Sequence, residues 1–84
     1  MNAKQRKTLE AIFRDPVSPA IVWADIETLL ISIGCRCVEG SGSRVRFEKG
    51  RMIASFHRPH PDRHAKRYQV RDARMFLKEL GIEP

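Results

Sequence analysis

Apolar positions recur at helical spacing in three stretches of the chain. In residues 3–13 (AKQRKTLEAIF), Leu9, Ile12 and Phe13 fall on one face, which predicts a short helix. Asp15-Pro16 ends it, because the residue before a proline is pushed out of helical geometry. Residues 16–20 carry two prolines and read as a linker. In residues 23–33 (WADIETLLISI), Trp23, Ile26, Leu29, Leu30 and Ile33 form a stripe, and Asp25, Glu27 and Thr28 lie off it. Acids in the first turn suit the helix dipole, and Gly34 is a good C-terminal stop. A third helix is predicted over residues 68–80 (YQVRDARMFLKEL), with Val70, Ala73, Phe76, Leu77 and Leu80 turned inward. Arg67, Arg71, Arg74 and Lys78 line its outer face, and Gly81 closes it.

Between the second and third helices the period changes. Residues 35–38 (CRCV) read as a short strand and residues 39–43 (EGSGS) as a flexible turn. Arg44 to Glu48 then alternates strictly, with Val45 and Phe47 on one face and Arg44, Arg46 and Glu48 on the other. Lys49-Gly50 reads as a two-residue hairpin loop, with Arg51 to His57 returning as the third strand. This loop pairs Phe47 with Met52, Arg46 with Ile53 and Val45 with Ala54, and sets His57 diagonally across from Arg44. One sheet face is then apolar and the other carries Arg44, Arg46, Arg51 and His57. The predicted fold class is α+β: a three-stranded antiparallel sheet with helices on one face, in the order α-β-β-β-α, plus an N-terminal helical extension. That core order is similar to double-stranded-RNA-binding domains. Residues 1–84 form a single domain, with residues 1–20 as extension and linker and 22–82 as the core.

Composition narrows the function. A domain of 84 residues buries a modest core, which disfavours a deep cofactor cavity, and no cofactor is expected. No apolar run reaches membrane-spanning length, and the first residues lack the features of a signal peptide, so the expected location is the cytoplasm. Cys35 and Cys37 lack the second pair of ligands a structural zinc site requires, so no metal is expected. The net charge is +6, from sixteen basic and ten acidic residues. Residues 1–43 hold five of each, which leaves eleven basic against five acidic in residues 44–84. Positive charge concentrated this way suits a polyanion, since phosphate neutralisation releases counterions. Arg44, Arg46, Arg51, Arg58, Arg63, Lys66, Arg67 and Arg71 are the candidate phosphate contacts.

The segment FHRPHPDRH gathers His57, Arg58, His60, Arg63 and His64. Metal-independent RNA cleavage needs groups that move protons near neutral pH and a cation beside the phosphate. His57 and His60 are the candidates for proton transfer. The residues 40–43 turn offers backbone N–H groups to a phosphate, or serves only as a connection.

A helix ending at Gly34, then EGSGSRVRF, a hairpin, FHRPHP and a last helix ending FLKELGI together resemble HicA toxins, over roughly residues 22–82. The resemblance implies a double-stranded-RNA-binding-like fold, cleavage of mRNA, and a HicB-type antitoxin partner that blocks the toxin. Many members of that family carry a histidine, regarded as catalytic, just after the Gly-Ser turn. Arg44 stands at that position here. Three alternatives follow: His57 has taken over proton transfer, the protein binds RNA without cutting it, or its remaining task is partner binding. In the last case the basic helix face of Arg67, Arg71, Arg74 and Lys78 docks an acidic antitoxin.

Overall fold

The computed structural model describes residues 1–84. Its elements run α1 (Ala3–Ile12), α2 (Trp23–Ser32), β1 (Arg36–Glu39), β2 (Arg44–Lys49), β3 (Met52–His57) and α3 (Arg67–Glu79). The three strands form one antiparallel sheet in the order β1-β2-β3. The expected α+β class and α-β-β-β-α order hold. No helix is long and apolar enough to cross a membrane.

Each helix ends where its local chemistry dictates. Asn2 and Gln5 cap α1 reciprocally: the Asn2 Oδ1 accepts the Gln5 N–H and the Gln5 Oε1 accepts the Asn2 N–H, each at 2.8 Å. α2 closes on Gly34 at φ +100°, with the Gly34 N–H donating to Ile31 O and the Cys35 N–H to Leu30 O, both at 3.0 Å. This pair of bonds satisfies carbonyls that the helix end would orphan, and it needs a residue tolerant of positive φ. α3 ends the same way through Gly81 and Ile82.

The sheet sorts its side chains by strand alternation. Val45, Phe47 and Phe56 are buried toward the helices. Phe56 lies between Phe47 and Trp23 of α2, with ring centroids 6.3 and 5.0 Å away. Leu29, Leu30, Val70 and Leu77 complete the middle of the core. α1 belongs to this same core, because Leu9 and Ile12 are buried in it. Arg74 fastens α1 from the side: its Nε donates to Ile12 O at 2.8 Å, its Nη2 to Arg14 O at 3.0 Å, and its Nη1 meets Asp15 Oδ1 at 3.1 Å. Arg74 therefore leaves the outer basic face proposed for α3. It is a tether for the end of α1, where carbonyls lack helical partners.

The hairpin register needs correction. The loop is Gly50-Arg51, and Lys49 is the last paired residue of β2, opposite Met52. Gly50 has φ +60° and Arg51 does not have positive φ. A two-residue turn of this kind places positive φ at its first central position, where glycine fits and lysine is strained. Moving the loop by one residue moves each partner by two along β3: Phe47 faces Ala54, Arg46 faces Ser55, and Val45 faces Phe56. A shift of two preserves the faces, so the separation of apolar and basic sides survives.

Candidate nucleic-acid interface

The exposed face of the sheet presents Arg36 and Val38 from β1, Arg44, Arg46 and Glu48 from β2, and Ile53, Ser55 and His57 from β3. The corrected register sets His57 directly opposite Arg44. The Arg58 N–H donates to Ser43 O at 2.8 Å, which makes the next pair along, Arg44 and His57, a pair without ladder hydrogen bonds. In such pairs the Cα atoms approach to about 4.5 Å and the side chains are close neighbours. Two further bonds fix the ends of these strands. The Gly40 N–H donates to Arg44 O at 2.9 Å. Gln69, buried at 1% exposure, donates from Nε2 to His57 O at 2.6 Å and accepts the Lys66 N–H on Oε1 at 3.0 Å. The side chain of α3 thus satisfies a carbonyl that β3, as an edge strand, turns away from β2.

A shallow groove of about 370 Å³ opens on this face. Arg44, Arg46, Ser41, Ser55, Glu39 and His57 line it, together with Val38, Gly40, Val45 and Phe56. Among the candidate phosphate contacts, the structure brings Arg44 and Arg46 to His57 and leaves the others outside the groove. Arg44 has no carboxylate partner. Arg46 shares Glu48 with Arg36, its Nε lying 2.6 Å from Glu48 Oε2 while Arg36 Nη2 lies 2.7 Å from Oε1. Hydrogen bonds from Arg36 and then Arg46 hold the Glu48 carboxyl below the usual carboxylate range. Two cations against one anion leave this pair of strands net positive. Arg51 sits at the hairpin tip, and Arg63, Lys66, Arg67 and Arg71 are exposed without an acidic partner. His60 does not line the groove. His64 Nδ1 lies 2.8 Å from Asp62 Oδ1, and its backbone N–H, donating to the same oxygen, is the leading cause that lowers the Asp62 carboxyl.

Arg58 has a different position from the one its sequence context suggests. It follows His57 and therefore points to the helix side of the sheet. There its guanidinium reaches Glu27 of α2 (Nε to Oε2, 2.8 Å) and Glu39 of β1 (Nη1 to Oε1, 2.6 Å). The Trp23 Nε1–H donates to the same Glu27 carboxylate. Hydrogen bonds to Glu27 and then Glu39 push the Arg58 guanidinium further toward its charged form, and the bond from Arg58 draws the Glu39 carboxyl down. Arg58 is a clamp among α2, β1 and β3, with two carboxylates offsetting its charge.

The basic loop is anchored as well. Val22 and His64 form an isolated bridge, the Trp23 N–H donates to Arg63 O at 2.9 Å, and the Ala65 N–H donates to Ile21 O at 2.8 Å. Residues 63–65 are thereby stapled to the start of α2, a helix with no side-chain N-cap of its own. No group of three His, Cys, Asp or Glu residues converges to hold a metal ion, and both cysteines are free. Burial raises the Cys35 and Cys37 thiols above their ordinary value, which disfavours reactive thiolates.

Sequence reasoning missed Gln69, Glu27 and Glu39. Gln69 carries a readable signal, because it precedes Ala73 by four residues and Phe76 by seven and so shares their inward face. Glu27 follows Trp23 by one helical turn, which is the spacing of their bond. Glu39 carries no comparable signal, since its partner lies nineteen residues away across the sheet.

A family model described as the HicA toxin of bacterial toxin–antitoxin matches residues 23–82. No curated protein and no solved structure matches the chain.

Proposed function

The chain belongs to the HicA toxin family of bacterial toxin–antitoxin pairs, and from that premise we propose that it is an RNA-binding toxin that cleaves mRNA in the groove beside β2 and β3. The observation that carries this reading is the pairing of His57 with Arg44, an unpartnered guanidinium, at one end of a positively charged sheet face. In this proposal Arg44 and Arg46 hold the RNA phosphate. His57 takes the proton of the 2′-hydroxyl as that oxygen attacks phosphorus. The bond from phosphorus to the 5′-oxygen breaks, and the leaving oxygen takes a proton from water. The Arg44 guanidinium lies where charge develops on the phosphoryl oxygens. Arg44 occupies the family's usual histidine position, so a proton-transfer group must come from elsewhere, and the cross-strand neighbour is a histidine. His57 is favoured over His60 because it lines the groove.

Arg51, Arg63, Lys66, Arg67 and Arg71 extend the positive field beyond the groove and guide the backbone of the RNA toward it. A HicB-type antitoxin is the proposed protein partner, and the cytoplasm, where mRNA and such partners meet, is the proposed location. The test is incubation of purified protein with mixed-sequence single-stranded RNA, followed by analysis of product ends. Short products ending in 2′,3′-cyclic phosphate are expected from the parent. His57→Ala is expected to lose activity by about a hundredfold or more, and His60→Ala to retain it.

A second reading has an observation of its own. Arginine at the family's catalytic position cannot serve as a base near neutral pH, and the groove contains a single imidazole. Tight, salt-sensitive RNA binding without shortened products would identify the protein as a non-catalytic RNA-binding toxin instead.

A further inference from the structure

Edge strands in native proteins are ordinarily blunted by charge, proline, bulges or extreme shortness, because their free N–H and C=O groups invite another strand. The two edges of this sheet differ in that respect. β1 is four residues long and carries Arg36 and Glu39. β3 is six residues long, pairs with β2 without a bulge, and has no lysine, arginine, acid or proline in MIASFH. Ile53 on this strand is 57% exposed.

The ladder shows which main-chain groups are free. The bond from the Arg58 N–H to Ser43 O sets the alternation, so Met52, Ala54 and Phe56 bond to β2 while Ile53, Ser55 and His57 turn their polar groups outward. Gln69 takes the carbonyl of His57. No side chain, turn or loop bonds to the main chain of Ile53 or Ser55. Two donors and two acceptors therefore stand open beside an exposed isoleucine, within one strand of the groove.

We propose that this open edge of β3 is a strand-addition site, filled by an extended segment of an acidic antitoxin protein. Main-chain pairing with Ile53 and Ser55 supplies the attachment, and Ile53 supplies an apolar contact for an alternate side chain of the incoming strand. Charge selects the occupant. The chain is +6, and Arg51 flanks the edge at the hairpin tip. A second copy paired antiparallel on β3 would bring the Arg51 of one chain toward the His57 end of the other, between two bodies of the same sign. An acidic segment meets the opposite field. A strand added here lies beside His57 and narrows access to the groove, so docking and inhibition would share one contact. The inference rests on the toxin–antitoxin reading and is independent of whether RNA is cut.

The probe is the product of any short reading frame adjoining this gene, co-purified with the full chain. Amide exchange at Ile53 and Ser55 is expected to slow by about tenfold or more in the complex, as a strand pair replaces water. Ile53→Pro removes an outward donor and spares the ladder to β2, a position where an edge strand tolerates proline. It is expected to keep the helical and sheet signature of the parent while weakening the complex about tenfold or more. The exchange measurement on the parent decides the matter even where the variant folds poorly. A complex with unchanged exchange at both amides overturns the proposal. So does protection of those amides in the isolated chain at high concentration, which assigns the edge to a second copy. Failure of the adjoining product to bind, or absence of such a gene, also overturns it, and leaves the RNA reading to stand or fall on the cleavage assay.

Discussion

Replacing Gln69 with methionine removes one side chain that makes two bonds at the junction of β3 and α3. Methionine keeps the length and fills the same buried space without a donor or an acceptor. The variant loses the bond to His57 O at 2.6 Å and the bond from the Lys66 N–H at 3.0 Å. A net intramolecular hydrogen bond contributes about 1 kcal/mol, and an orphaned, partly buried partner raises the loss. Methionine recovers part of this through its apolar surface. A net destabilisation of about 2 kcal/mol is expected, which for a domain of this size lowers Tm by about 8–16 °C. Urea unfolding followed by circular dichroism gives the free energy, and the slope against urea should match that of the parent. Gln69→Glu should be worse than methionine at neutral pH, because a buried carboxylate would face the His57 carbonyl. A Tm within about 2 °C of the parent for Gln69→Met would refute the reasoning. The junction would then be held by Val70, Ala73 and the aromatic core alone.

Arg44→Ala should reduce the salt dependence of RNA binding by about one unit of log–log slope, whereas Arg58→Met should leave that slope unchanged and lower Tm, because Arg58 joins Glu27 and Glu39 within the fold. Equal slopes for the two variants in a filter-binding titration would count against the division of roles. Gly34→Ala is expected to destabilise by about 1–2 kcal/mol, since the position has φ +100° while the nearest atom to an added Cβ is the movable tip of Lys49 at 2.9 Å; thermal melts check this. Acid should lower the stability of the chain modestly through its paired, solvent-facing carboxyls. Glu39, Glu48 and Asp62 have folded-state values below their ordinary ones, so their contribution is complete above the unfolded value, near pH 4, and disappears as pH falls through the lower folded values. A Glu39→Gln, Glu48→Gln double variant should show a shallower fall in Tm below that pH, and an unchanged acid limb would contradict the assignment.

The parts of the fold that are legible in the sequence are those with a strong period. The apolar stripe of α2, the inward set of α3 and the strict alternation of Arg44 to Glu48 each record burial on one side, and both helix stops follow from glycine. The hairpin register was less legible, because EKGR allows the turn to start at Lys49 or Gly50 and only the conformational need at the first turn position separates them. The candidate site divides in the same way. Arg44, Arg46 and His57 could be placed on one wet face from alternation alone. The fate of Arg58 and Arg74 could not, since each binds partners remote in sequence, at Glu27 and at Ile12 to Asp15. Counting positive residues overstates the charge open to RNA wherever a carboxylate or a helix end has claimed a guanidinium.

The position of α1 has a practical consequence. The family match begins at Trp23, but Leu9 and Ile12 fill space among the buried residues of α2 and α3, and Arg74 closes on the carbonyls of Ile12 and Arg14. A gene fragment cut to the matched segment would expose that apolar seam and leave a guanidinium facing water where it had three partners. Such a fragment should be expected to precipitate or to express poorly, and any loss of toxicity it shows would report on solubility rather than on chemistry.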